Sequence, residues 1–123
     1  MDCPPTADAP HATCPVEVTL GLIDGKWKGV VLFHLGDGTL RFNELRRRVR
    51  GATQRVLTRQ LRELAADGLV IRTIYAEVPP RVEYRLSATG ETLRPIIAAL
   101  KAWGMTHLAE TEAADRQEER TAA

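Results

Sequence analysis

The chain has 123 residues, 44% of them hydrophobic and 27% charged, with a formal net charge of +1. That length holds one domain with a modest core rather than two, and no apolar run approaches the roughly 18 residues of a membrane span. The two cysteines, Cys3 and Cys14, make no disulfide framework, and the acidic, proline-rich N-terminus has neither the basic nor the apolar region of a secretory signal. The expected location is the cytoplasm.

The near-zero charge conceals a segregation. From Arg41 to Arg85 there are eleven Arg against five acids, a net +6. Residues 1–40 carry −3 and the segment from Glu110 onward another −3. A basic middle between acidic ends points toward nucleic acid.

In chain order, residues 1–13 hold three prolines and little that packs, and are expected to form a flexible arm. Cys14-Pro15 opens a short helix through about Ile23, proline being favoured at the first helical position, and Asp24-Gly25 ends it. The stretch KWKGVVLFHLGDG puts Trp27, Val30, Val31, His34 and Leu35 on one helical face, stopped by Gly36-Asp37-Gly38. Thr39 to Arg41 suits a very short strand. A helix then carries Phe42, Leu45 and Val49 inward and Arg46, Arg47 and Arg48 outward. After the turn residue Gly51, Thr53 stands as the N-cap of a helix from Gln54 to about Asp67, closed by Gly68.

Beyond Gly68 the periodicity changes to two. Strands are expected at about Leu69–Tyr75 and Val82–Leu86, with Pro79-Pro80 at the hairpin tip because proline cannot sit inside a sheet. Ser87 is expected to cap a long final helix bearing Leu93, Ile96, Ile97, Leu100, Trp103 and Leu108, bent at Pro95. The domain is expected to span 14–108, with a polar, fraying tail over 109–123. The fold class is thus mainly α with a small β-hairpin (α+β): a winged helix-turn-helix with N- and C-terminal dimerisation helices.

The helix over 54–67 carries the chemistry. With Leu57 at zero and about 100° per residue, Leu61 falls near 40° and Leu64 near −20°, an apolar stripe. On the same scale Arg62, Arg55 and Arg59 fall at about 140°, 160° and 200°, opposite that stripe, with Thr58 at its margin. Glu63 is spaced to pair with Arg59, whereas Arg55 and Arg62 have no acid three or four positions away. Gln54 and Arg55 lie in the first turn, where a recognition helix meets base edges. Arginine can bind guanine, and glutamine adenine, with two hydrogen bonds. The same pattern also describes a solvated face, but the cap, the preceding helix and the following hairpin favour DNA. Arg81, beside the proline tip, is a candidate for a minor groove or a phosphate. Arg41, Arg46, Arg47 and Arg48 are candidates for backbone contacts, which position without specifying.

The segments CPVE, GKW, RFNELRRR, LTRQLRELAADGLVIR and VPPRVEYRL, with the LxxxGxxLxPI and WG pattern that follows, resemble the HxlR-type winged-helix transcriptional regulators over about residues 14–108. The resemblance implies a bacterial or archaeal homodimer bound to a palindromic double-stranded DNA operator, here expected as a repressor. It implies a recognition helix from Thr53 to Arg62 and a wing at Pro79 to Val82. Arg50-Gly51-Ala52-Thr53 departs from the family's more usual Pro-Gly-Ile-Ser. Dimerisation also has a physical basis in the apolar residues Val16, Val18, Leu20, Leu22, Ile96, Ile97, Leu100 and Trp103, more than a domain of this size buries internally.

Cys14 sits at a helix start, where unpaired amides stabilise a thiolate. Family members with a cysteine there often use it to sense oxidants or electrophiles, so Cys14 is the candidate redox sensor, against a partly buried thiol with no signalling role. Cys3 stands either as a resolving thiol or as an incidental residue. His11, His34 and His107 lie far apart and show no metal-ligand spacing, and no phosphate loop, HExxH or nucleophile elbow occurs. No cofactor, no metal, no catalytic residue and no enzyme activity are expected. The rival readings are a winged helix that assembles with protein instead of DNA, and a DNA-binding regulator answering to a small molecule rather than through a thiol.

Overall fold

The computed structural model describes residues 14–122; the expected flexible arm and Cys3 lie outside the described residues. The element order is α1 (Pro15–Ile23), α2 (Lys28–Leu35), β1 (Leu40–Arg41), α3 (Phe42–Arg48), α4 (Gln54–Ala66), β2 (Val70–Tyr75), β3 (Arg81–Leu86), α5 (Ala88–Glu91) and α6 (Arg94–Ala122). The three strands form one antiparallel sheet in the order β1-β3-β2. Leu40 sits opposite Tyr84, and Val70 opposite Leu86.

The core lies beneath α4. Val31 from α2, Leu45 from α3, Leu57, Leu61 and Leu64 from α4 and Leu69 before β2 are all fully buried. Val70, Tyr84 and Leu86 close it from the sheet, Leu93 and Ile97 from the C-terminal side. The apolar stripe of α4 is therefore the surface on which the remaining elements are assembled.

Local chemistry sets each end of α4. Thr53 Oγ1 accepts a hydrogen bond from the Val56 N–H at 3.2 Å, filling one of the orphan donors of the first turn. Gly68 has φ +77°, a left-handed value that favours glycine. The Leu69 N–H donates to Leu64 O at 3.0 Å and the Gly68 N–H to Ala65 O at 3.1 Å, the paired closure of a Schellman motif. The departure at Arg50-Gly51-Ala52-Thr53 leaves the turn intact, since Ala52 packs against the core.

Four expectations change in detail. Trp27 does not lie on the face of α2 but precedes it as N-cap, because its backbone N–H donates to Gln60 Oε1 at 2.9 Å. Ser87 caps only the four-residue α5, accepting from the Gly90 N–H at 2.9 Å. Pro95 is the second residue of α6 and opens it instead of bending it. The polar segment over 109–122 continues α6 as an exposed helix.

Candidate nucleic-acid interface

α4 presents its polar side as the sequence implies. Gln54, Arg55, Thr58, Arg59 and Arg62 together line a shallow groove of about 630 Å³, with no carboxylate in its wall. Arg55, Arg59 and Arg62 are exposed. Among the described residues none of the three has a carboxylate within 4.0 Å. The groove thus offers guanidinium groups with no carboxylate in contact with them, the arrangement phosphate oxygens and guanine edges require.

Other groups in the groove are partly committed. Thr58 Oγ1 donates to Gln54 O at 2.8 Å, so its hydroxyl proton stays within the helix. Gln54 Oε1 accepts from Arg46 Nη1 at 3.3 Å, tying the end of α3 to the first turn of α4. That hydrogen bond orients Gln54 and leaves its amide N–H groups for an acceptor. Thr53 Oγ1 accepts the capping hydrogen bond, which leaves its hydroxyl proton to donate.

The flanking arginines divide. Arg41, Arg46 and Arg47 are exposed, and the Arg41 backbone N–H donates to Glu44 Oε1 at 3.1 Å at the start of α3. Arg48 is drawn to Asp37 at 3.3 Å and so is partly neutralised. Arg41 and the wing tip, Glu77 to Val82, line a second depression of about 560 Å³, so the start of α3 and the hairpin share one surface.

Arg81 differs from its expected role. Its guanidinium lies 3.3 Å from Glu77 and 3.5 Å from Glu83, and stacks 4.2 Å from the centre of the Tyr75 ring. The side chain is 29% exposed. Two carboxylates and an aromatic face hold it on the hairpin, so it braces the wing instead of reaching out from it. Sequence reasoning passed over exposed Arg50 in the turn before α4 and exposed Arg72 and Arg85 on the wing strands. The available signal was their polar places in the turn and in the two-residue alternation.

Glu63 does not pair with Arg59. Its Oε2 lies 2.8 Å from Lys28 Nζ, and the hydrogen bond from Lys28 outweighs the opposing effect of burial and, with the charges of Lys28 and Arg59, holds its carboxyl below the ordinary carboxylate value. His34 is part-buried, and burial first, then the charge of Arg48, lowers its pKa from the usual 6.5. Cys14 directly precedes Pro15, its carbonyl accepting from the Val18 N–H at 3.1 Å. It is disulfide-bonded in this structure. Among the described residues no group of three or more His, Cys, Asp or Glu is arranged to hold a metal ion. No helix among them is long and apolar enough to cross a membrane.

The profile of the HxlR-like helix-turn-helix family matches residues 22–112. The chain belongs to that family. It is 57% identical over 91 residues, 74% of this chain and 73% of the relative, to YybR of Bacillus subtilis (strain 168), an HTH-type transcriptional regulator. Among solved structures, the redox regulator HypR in its oxidised form is 56% identical with a TM-score of 0.73, over 76% of this chain and 96% of that one. HypR in its reduced form is 52% identical with a TM-score of 0.76, over 80% and 98%. The chain is a winged-helix transcriptional regulator of the HxlR type and not an enzyme.

Proposed function

We propose that the protein represses transcription in the cytoplasm by binding a palindromic operator as a homodimer, with α4 in the major groove of each half-site. The observation that carries the reading is the acid-free groove of Gln54, Arg55, Thr58, Arg59 and Arg62 on a helix anchored beneath by Leu57, Leu61 and Leu64. Arg55, with Gln54, reads base edges, while Arg41, Arg46 and Arg47 hold phosphates.

The apolar surface supports the dimer. Val16, Val18 and Leu20 on α1, and Ile96, Leu100, Trp103, Met105 and Leu108 on α6, remain exposed, Trp103 at 69%. Exposed apolar patches of that extent mark interaction surfaces. A two-fold pair would set its recognition helices about 34–36 Å apart, one turn of DNA.

Cys14 supplies the response. The redox regulator HypR is similar to this chain in both its oxidised and its reduced form, and Cys14 opens α1, one of the two helices with exposed apolar faces. Joining two thiols as a disulfide removes two electrons and two protons, taken up by an oxidant such as diamide. Making or breaking that bond moves α1 and, through the dimer, the spacing of the two α4 helices. Selecting bound fragments from the source genome, followed by gel shifts with and without diamide, tests the reading. Recovery of an inverted repeat whose affinity changes with oxidation is the expected result, and no enrichment over random fragments would end it.

A further inference from the structure

Glu63 is the one carboxylate on α4. It stands four residues after Arg59, a spacing at which opposite charges on a helix pair. Such a pair would place a negative charge at the edge of the DNA face and occupy Arg59. The structure instead draws Glu63 to Lys28, at 2.8 Å, and leaves Arg59 exposed, with no carboxylate within 4.0 Å among the described residues and with only the smallest of the attractions on Glu63 coming from Arg59.

Lys28 is an unusual residue for its position. It is 6% exposed, at the start of α2, whose other buried residues, Val31, Leu32 and Leu35, are all apolar. Burying an ammonium group is costly, and an apolar side chain of like size generally serves stability at least as well. The ion pair therefore calls for an explanation other than stability. Its surroundings fix it in place. The Trp27 N–H donates to the buried Gln60 Oε1 at 2.9 Å, one turn of α4 before Glu63, so the backbone carrying Lys28 is fastened to the same edge of α4.

We propose that Lys28 is a positioning residue for DNA binding: by engaging Glu63 from the core side, it keeps Arg59 available to a phosphate or base and removes the carboxylate from the recognition face. The inference rests on α4 being the DNA-contacting helix. In an isolated helix Arg59 would have Glu63 as its nearest partner, in the less favourable order of basic residue first. Lys28 competes with it from a drier site, where screening by water is weaker.

The test uses the full-length protein and a labelled duplex carrying the selected operator, with affinity followed across a salt series. Lys28→Met frees Glu63 to turn to Arg59. The slope of log affinity against log salt should become shallower by about 0.9 per protomer, because Arg59 no longer neutralises a phosphate, and affinity should fall about ten-fold or more. Lys28→Met/Glu63→Gln should regain the wild-type slope and most of the affinity, a rescue that repair of packing alone would not give. Glu63→Gln by itself should match the wild-type slope, since the charge it removes is already withdrawn, and this variant decides the matter if Lys28→Met proves too unstable to assay. A Lys28→Met protein with the wild-type slope, or a Glu63→Gln protein with a steeper one, would overturn the proposal while leaving α4 as the DNA helix. A wild-type protein with no salt-dependent DNA binding would overturn both.

Discussion

Gly90 is where the wing, α5 and the end of α4 meet, and a methyl group there has nowhere to go. A Cβ built on Gly90 would lie 2.1 Å from Leu69 O, a backbone atom, and 3.4 Å from the Leu86 side chain. An ordinary carbon–oxygen contact is about 3.3 Å or more, so Gly90→Ala must push the two backbones apart by roughly 1 Å. Leu69 O also accepts the Ser87 N–H at 3.0 Å, and Ser87 Oγ donates to Gly68 O at 2.6 Å while accepting from the Gly90 N–H. Overpacking costs about 1–3 kcal/mol, and leaving a buried acceptor poorly bonded adds about 1–3 kcal/mol. A destabilisation of roughly 2–6 kcal/mol follows, or a fall in Tm of about 8–24 °C at about 4 °C per kcal/mol for a domain of this size. Thermal unfolding followed by circular dichroism measures it. Gly104→Ala is the control, since a Cβ at Gly104 meets nothing within 4 Å and helix propensity alone should raise the stability of the chain slightly. If Gly90→Ala unfolds within about 1 kcal/mol of the wild type, the close packing of α5 on Leu69 is wrong.

Arg55→Ala should relax sequence preference at one base position per half-site, costing about 1–3 kcal/mol against the preferred base, whereas Arg47→Ala, at an exposed side chain away from Gln54, should weaken all duplexes alike; competition with single-base operator variants separates the two. Cys14→Ser should bind the operator but no longer change affinity when treated with diamide or quinones, and a gel shift in which the wild type ignores both would remove the sensor and leave DNA binding standing. His34 has a lowered pKa in the folded chain, so the folded state binds its proton less readily than the unfolded one. Its contribution to stability is present above about pH 6.5 and drains away as pH falls through the lowered value. His34→Gln should flatten the decline in denaturation midpoint as pH falls below about 6.5, and an unchanged decline would assign the slope to other groups.

The sequence was most legible where one short segment carries its own logic. The stripe of Leu57, Leu61 and Leu64, the Thr53 cap and the Gly68 stop all depend on residues within one helix, and periodicity exposes them. The groove of Gln54, Arg55, Thr58, Arg59 and Arg62 follows from the same wheel. What escaped depends on distant partners or on competition between near ones. Nothing local shows that Glu63 turns to Lys28, thirty-five positions away, in preference to Arg59. Arg81 has Glu77 and Glu83 close in sequence, yet only the hairpin brings both carboxylates and Tyr75 around one guanidinium. The polar composition after Leu108 suggested a fraying tail, but its Ala, Glu, Gln and Arg are strong helix formers and α6 runs on through Ala122. Ser87 was rightly a cap, of a helix that ends before Pro95.

Regulation by this chain requires that the exposed guanidinium groups of α4 meet DNA. The salt dependence of duplex affinity decides it, compared between the wild type and a variant with Arg55, Arg59 and Arg62 all changed to Ala. A steep wild-type slope is expected, shrinking in the variant by about 0.9 for every phosphate these side chains neutralise, with the variant still folded because all three side chains lie outside the core. Equal slopes and equal affinities for the two proteins would contradict it.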